Sequence, residues 1–520
     1  MWSALYFEAV GLQHKFSRPR RPLERAAITR RVNVVPVWVM LALFPGKNEG
    51  NMPASTVSLP TWLFIVLVIA AGYAIAMSVL YPGVRWLIRR RLNKAVDALN
   101  SSLRIKIRPL QRTKREVMID QLIFDQEVLA LIEAQSQQDN IPRDELQLQV
   151  RNYAREIVPS FNAYVYYRIC YWLAKKASRF VYRVRVAAAD HRQLRAIDPE
   201  STVVFVMNHR SNMDYVLISY LASDQVTLSY AVGEWARIFP LESLIRAMGA
   251  FFVRRNSNNP LYRKVLERYV CLATQNGVCQ AVFLEGGLSR DGLLGEPKLG
   301  FLDYMLRQFD WHTNRNIVFI PVGINYDHVL EDQNLLSWND KSTRLTKRQH
   351  LSRVWHFFRN NLFISSRRRW QRFGYASVNF GVPVSMRMYC ESRALNFNHL
   401  DKADRIPEVM QLANHLMDAL RFVMPILPVP MLSVVMLRAG DDALSSLEIF
   451  GRCDSLIDAM IARGAAMKPD EKPRHRTLAA SLDMLTERKI LLEKDDLYRA
   501  NPTQRNLLQY YANSISHWWQ

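Results

Sequence analysis

The sequence predicts an α/β domain preceded by a transmembrane helix, with helical N- and C-terminal extensions. Three observations predict this. Short β-branched runs at 203–207, 250–253, 280–284, 317–322 and 376–380 are spaced by helical patterns, the alternation that builds a sheet with crossover helices. Residues 50–84 carry no charged side chain. The uninterrupted apolar run Val203–Met207 suits a strand buried on both faces, and it ends in the polar cluster Asn208-His209-Arg210-Ser211-Asn212-Met213-Asp214.

Taken in order, residues 1–60 form a basic, acid-poor segment expected to be poorly ordered. Its start reads either as a transit peptide or as leader ahead of a true initiator at Met52. Residues 61–81 have the length of one membrane span, with Trp62 and Tyr81 where interfacial anchors belong. Arg85, Arg89, Arg90, Arg91 and Lys94 follow the span, whereas only Lys47 lies close on the other side. The positive-inside bias therefore places the bulk of the chain on the cytoplasmic face, with a bacterial inner membrane the expected host. Residues 85–195 read as a basic, helical, membrane-proximal region whose stretch 85–117 faces anionic headgroups. Within it the aromatic and basic stripe Tyr164–Arg179 reads first as core packing and second as membrane-surface docking. The α/β domain occupies 196–385, and 386–520 is mainly helical. The uncharged stretch 422–437 is too short and proline-rich for a second span and reads as buried or as an apolar surface for lipid.

Composition narrows the partners. The chain has 520 residues, 49% of them hydrophobic, and a net charge of +22, so its partner surface is anionic: acidic lipid, nucleic acid or a phosphorylated substrate. No zinc finger or RNA-recognition signature accompanies the charge, so nucleic acid is not expected. Five scattered cysteines lack metal-ligand spacing and read as buried reduced thiols; no metal is expected.

The chemistry centres on His209 and Asp214. Five positions apart on one regular helix they would diverge by about 140°, so they meet only if His209 lies in a turn and Asp214 begins the next helix. A carboxylate on one imidazole nitrogen sets the tautomer and leaves the other nitrogen as a base for a hydroxyl. Three further stretches follow. Gly249–Arg255 is a short strand delivering Arg254 and Arg255; Val282–Gly292 is a strand running into a glycine-rich turn; Ile317–Val322 ends in Ile320-Pro321-Val322-Gly323. Arginines grip phosphate bidentately and glycines let backbone amides approach an anion. No Gly-x-Ser-x-Gly elbow, His-Glu-x-x-His, Walker loop or Gly-x-Gly-x-x-Gly is present.

The ordered set His-Arg-Ser-Asn-Met-Asp, Gly-Ala-Phe-Phe-Val-Arg-Arg, Phe-Leu-Glu-Gly-Gly-Leu-Ser-Arg and Ile-Pro-Val-Gly resembles the four blocks of the glycerolipid acyltransferases. Its closest likeness is to the membrane-bound glycerol-3-phosphate and dihydroxyacetone-phosphate branch, over roughly 150–440. The resemblance implies an acyltransferase domain with a mixed, mainly parallel sheet flanked by helices. It implies that His209 is the general base, that Asp214 orients it, and that the acceptor hydroxyl attacks an acyl thioester directly. Arg254, Glu285, Gly286, Ser289 and Arg290 match positions tied to glycerol-3-phosphate binding, and Pro321 belongs to the fourth block, tied to catalysis and the acyl donor. The implied reaction moves a fatty acyl group from acyl-CoA or acyl-carrier protein, as co-substrate and without a cofactor, to the sn-1 hydroxyl, the first step of phospholipid synthesis. Leu288 departs from the family pattern, which has an arginine there, and leaves the cradle one cation short, with Lys298 and Arg255 the nearest replacements. A lysophosphatidic acid or other lysophospholipid acceptor would use the same machinery. A catalytically inactive, membrane-anchored binder of acidic lipid or nucleic acid is the reading of another class; the presence of both His209 and Asp214 favours the enzyme. The chain is shorter than the large glycerol-3-phosphate enzymes, so their extra domains are expected to be absent.

Overall fold

A computed structural model describes residues 60–75, 115–162, 165–188, 194, 196–222, 229–233, 241–254, 257–336, 366–465 and 474–519. They fall in two units, 1–82 and 83–520. In the first, the uncharged helix α1 (Thr61–Ile75) is described as far as Ile75. The rest of the expected span, the segment 1–59 and the basic stretch 85–114 lie outside the described residues. Among the described residues no single helix is long and apolar enough to cross a membrane.

The second unit is built on β2 (Thr202–Met207), buried at every position. Valine and phenylalanine in that density fit a strand covered on both faces. It is paired in parallel with β5 (Gln280–Phe283) and β6 (Ile317–Tyr326). The eight-stranded sheet runs β1-β7-β6-β2-β5-β3-β4, where β1 is Arg183–Ala188, β3 is Ser229–Gly233, β4 is Phe251–Val253 and β7 is Tyr375–Phe380. β8 (Val384–Ser385) pairs with β6. Among the described pairings of this sheet, only β6–β7 and β6–β8 are antiparallel. Pro321 sits where these two antiparallel partners change over: its carbonyl accepts the Gly381 N–H, and its missing N–H falls in the gap between β7 and β8.

The two faces carry separate cores. Val204 and Val206 of β2 pack with helices α2 (Arg115–Ile123), α3 (Gln126–Asp139), α4 (Arg143–Ile157), α7 (Pro260–Gln275) and α8 (Lys402–Val423). Val203, Phe205 and Met207 pack with α6 (Met213–Ala222) and the C-terminal helices α9 (Pro428–Ala439), α10 (Ser446–Ala462), α11 (Arg474–Glu487) and α12 (Arg505–Asn513). The stretch 422–437 thus resolves to the buried reading, because α9 is covered along most of its length.

The structure redraws the division at 196 in two ways. β1, in the segment read as helical, pairs with β7 as the edge strand of the sheet. Its Arg-Val-Arg-Val alternation belongs to an edge half exposed to solvent, unlike the solid apolar runs of the interior strands. Helices α2–α4 likewise belong to the core of the α/β domain. The region 386–520 is not wholly helical: β10 (Leu491–Lys494) and β11 (Leu497–Ala500) form a hairpin that pairs with β9 (Leu444–Ser445). Its turn residues Asp495 and Asp496 both adopt positive φ, the left-handed pair that a two-residue hairpin requires. In the large sheet β3, too short and mixed to stand out as an apolar run, and the two-residue β8 are likewise absent from the sequence pattern.

Candidate active site

β2 delivers Asn208 and His209 beyond its last ladder residue, and α6 starts at Met213, so His209 lies in the turn and Asp214 in the first helical turn. Asn208 prolongs the pairing with β6 through its side chain: its amide donates to the Ile324 carbonyl (2.8 Å) and its oxygen accepts the Ile324 N–H (2.7 Å). The turn is thereby tied to β6 before the chain leaves the sheet.

His209 Nδ1 lies 2.9 Å from Asp214 Oδ2, and both side chains are almost fully buried. The same Oδ2 accepts the N–H groups of Arg210 (2.7 Å) and Ser211 (3.0 Å), while Oδ1 accepts the Tyr326 hydroxyl at 2.6 Å. An acceptor so occupied makes Nδ1 the protonated nitrogen and leaves Nε2 with its lone pair. The imidazole stacks on Phe283 with centroids 4.0 Å apart and meets the edge of Tyr215 at 5.3 Å. Burial drives the Tyr326 hydroxyl well above its ordinary pKa, and the Asp214 charge adds to the rise, so it stays a donor.

Glu331, after β6, steadies the turn from the other side. Its carboxylate accepts the Ser211 hydroxyl (2.7 Å), the Asn212 N–H (3.2 Å) and the Asn212 amide (3.1 Å). Its pKa is raised, chiefly by burial.

The glycine-rich turn closes over the same place. Glu285 accepts the His209 N–H and the Gly295 N–H, both at 2.9 Å; burial raises its pKa while these two bonds lower it. The Ser289 N–H donates to the His209 carbonyl (2.9 Å), and its hydroxyl donates to Leu293 O and accepts the Gly292 N–H. Gly286 has φ +68°, and the Lys298 side chain lies over it. Arg290 and Lys298 are exposed on this turn. Arg210 is buried beside His209; Nη1 donates to Gly292 O (2.5 Å) and the guanidinium lies over Tyr510 of α12.

Of the residues singled out in the sequence, His209, Asp214, Glu285 and Ser289 are joined by hydrogen bonds, and Gly286, Arg290 and Lys298 lie on the same turn. Pro321 is in β6 beside Val206, within the sheet. Arg254 stands apart. It follows β4, three strands from β2, about 14 Å at ordinary strand spacing. Its guanidinium makes a bidentate pair with Glu156 of α4 (2.9 and 2.6 Å). Leu288, expected to face a phosphate cradle, is half-buried against the hydrophobic core, so an arginine there would have to leave apolar surroundings. Arg255 lies outside the described residues. Sequence reasoning assigned no role to Tyr326, Glu331, Phe283 or Arg210. Only the position of Tyr326 at the end of a buried strand hinted at a contact, because a tyrosine hydroxyl buried there needs a partner.

Residues 185–325 match the family described as Acyltransferase, and 344–519 match the Glycerol-3-phosphate acyltransferase C-terminal region. The two matches support a glycerolipid acyltransferase family. It is 24% identical over 521 residues to a glycerol-3-phosphate acyltransferase of Xylella fastidiosa, covering 94% of this chain and 58% of that protein. It is 25% identical to that of Shewanella halifaxensis (94% and 62%) and 28% identical to that of Aeromonas hydrophila (78% and 50%). The chain thus spans about half to three fifths of the length of the curated relatives it matches. The crystal structure of the 1-acyl-sn-glycerophosphate (LPA) acyltransferase from Thermotoga maritima is 16% identical, covering 58% of this chain and 97% of that one, with a TM-score of 0.27. The first matched region ends at 325, within β6, and the second begins at 344; His209, Asp214, Glu285 and Ser289 lie in the first, Tyr326 and Glu331 between the two, and Tyr510 in the second.

Proposed function

We propose that the protein is a glycerol-3-phosphate O-acyltransferase that moves a fatty acyl group from acyl-CoA or acyl-carrier protein to the sn-1 hydroxyl. The observation that carries this is the buried His209–Asp214 pair, its tautomer set by Asp214 and its free nitrogen Nε2 available as a base. The names of the relatives and of the C-terminal family region support glycerol-3-phosphate as acceptor.

In the proposed mechanism His209 Nε2 takes the proton of the sn-1 hydroxyl as its oxygen attacks the thioester carbonyl. The tetrahedral intermediate collapses, the carbon–sulfur bond breaks, and the thiolate leaves with the proton returned from His209. Asp214 keeps its negative charge throughout and stabilises the imidazolium. No cofactor or metal takes part in this scheme. Residues 61–81 anchor the protein in a membrane with the catalytic unit on the cytoplasmic face, and 85–117 lies on anionic headgroups.

Lysophosphatidic acid is the alternative acceptor; it carries the same phosphomonoester, so the pairing of Arg254 with Glu156 bears on both alike. One assay separates the two. Membranes carrying the protein are given an acyl thioester with labelled glycerol-3-phosphate or labelled lysophosphatidic acid. Wild type should acylate the first and His209→Ala should lose about two to four orders of magnitude in rate. Use of lysophosphatidic acid alone would transfer the reading to the second acceptor. Retention of more than a tenth of the activity by His209→Ala would reject the base.

A further inference from the structure

Two stretches of the sequence hold no acidic residue at all: 157–189, with six lysines and arginines, and 341–390, with eleven. They account for seventeen of the net +22, and they lie more than 150 residues apart in the chain. The fold brings their described parts together at one edge of the sheet. β1 pairs in parallel with β7, and the helix Ser366–Phe373 packs on α5 (Tyr171–Val181), where the Trp370 indole donates to the Arg179 carbonyl at 3.3 Å.

The cations at this edge are partnered by rings. Lys175 lies over Tyr171, Lys176 over Trp172, Arg179 over Tyr220, and Arg183 over both Trp370 and Tyr375. Such contacts hold the side chains in place without neutralising them, and among the described residues none of these four cations forms an ion pair. α5 is amphipathic: Ala174, Ser178 and Val181 are buried, while Trp172 and Leu173 stand 55% and 41% exposed beside Lys176. An exposed tryptophan and leucine among cations suit the boundary between headgroups and acyl chains. An acidic protein surface would also match the charge and can cover an indole, and it is the outcome that the test below sets against lipid.

The structure assigns this edge, formed by α5, β1 and the helix Ser366–Phe373, as a docking surface for an anionic lipid bilayer, separate from the expected anchor at 61–81. The inference does not rest on the proposed acyl transfer. α5 packs on α6 through Tyr171 and Tyr220, and α6 begins with the turn that holds Asp214. Docking at this edge therefore lays the catalytic turn one helix away from the lipid.

The test uses the full-length protein in nanodiscs. The five native cysteines are buried, so Trp172→Cys offers a selective site for an environment-sensitive fluorophore. Leu447→Cys, at a position 78% exposed on α10, serves as the control. With phosphatidylglycerol in the disc, the label at 172 should shift to the blue and be quenched by spin-labelled lipid, and the label at 447 should not. In pure phosphatidylcholine the shift at 172 should be weaker. Each cation near an anionic surface is worth about fivefold in partitioning, so Lys175→Glu, Lys176→Glu and Arg179→Glu together should weaken the contact by about a hundredfold or more. A label at 172 that stays aqueous in both discs overturns the assignment, as does contact indifferent to the three reversals. If the reversals instead impair only transfer from acyl-carrier protein, with the label aqueous, the surface receives a protein and the assignment also falls. Acyl transfer in detergent, measured on the same variants, reports separately on the proposed reaction.

Discussion

Asp214 carries four hydrogen bonds, from His209, Arg210, Ser211 and Tyr326. Three come from its own turn and are set by local geometry. The fourth, from Tyr326, crosses from β6, and it fixes the plane of the carboxylate against which the imidazole aligns. Removing one partner of a buried, charge-assisted hydrogen bond costs about 1.5–3 kcal/mol. Tyr326→Phe should therefore lower kcat by about tenfold to a hundredfold with KM for both substrates little changed, because the lost hydroxyl touches Asp214 and not the substrate. Steady-state kinetics of the purified variant would check this. An unchanged kcat would mean that the turn alone orients Asp214.

At the scale of single elements, α9 shows how an unfavourable sequence is made to work. It begins Pro428-Val429-Pro430, so two of its first three residues have no N–H to satisfy. The remaining one, Val429 N–H, donates to Asp327 Oδ1 (3.0 Å), while Oδ2 accepts the Tyr375 N–H that starts β7 (2.9 Å). One carboxylate thus caps a buried helix and closes a strand pairing. Burial is the main cause that raises its pKa, to about 6, against two hydrogen bonds that lower it. Because the folded value lies above the unfolded one, near 3.9, the fold holds the proton more tightly than the unfolded chain. The stability that Asp327 contributes is greatest below pH 4 and declines as pH rises to about 6. The melting-temperature advantage of wild type over Asp327→Asn should shrink across that window and then level off. An advantage that grew with pH instead would show that the charged form is the one the fold prefers.

For the whole molecule, the C-terminal helices act on the site directly. Gly292 has φ +87°, and a Cβ there would stand 1.9 Å from the Tyr510 carbonyl of α12. Arg210 spans the same contact, bonding Gly292 O and lying over the Tyr510 ring, and the Asn513 amide donates to Asp291 O. The loop that closes over His209 is thus seated on α12. Gly292→Ala should cost several kcal/mol, through backbone strain and the clash together, and abolish activity by lifting this loop. Gly451→Ala, where an added Cβ meets nothing within 4 Å on α10, should be neutral or stabilise by about 0.5–1 kcal/mol. Thermal melts and transfer assays on the pair would check both. Equal stability of the two variants would mean that α12 yields readily to the loop.

What the sequence by itself determined is whatever depends on neighbours along the chain. The solid apolar runs marked the interior strands, because a strand covered on both faces needs no polar alternation. The spacing of His209 and Asp214 required a turn between strand and helix, because a helix would have pointed them apart. The uncharged stretch around α9 was legible as buried or lipid-facing, and only its packing decided for burial. Tertiary structure decided whatever depends on distant partners. The edge strand β1 was hidden because solvent on one side imposes alternation with arginine, and β3 because five small and mixed residues make no run. Arg254, matched to the acceptor phosphate, engages Glu156, which lies 98 residues earlier and which no spacing could pair with it. Tyr326 and Glu331 reach the catalytic turn across 112 and 120 residues. The sum of the charge was visible from composition alone, but the meeting of the described parts of its two acid-free stretches needed β1 and β7 to be adjacent in space, a fact of sheet order that one-dimensional pattern does not encode.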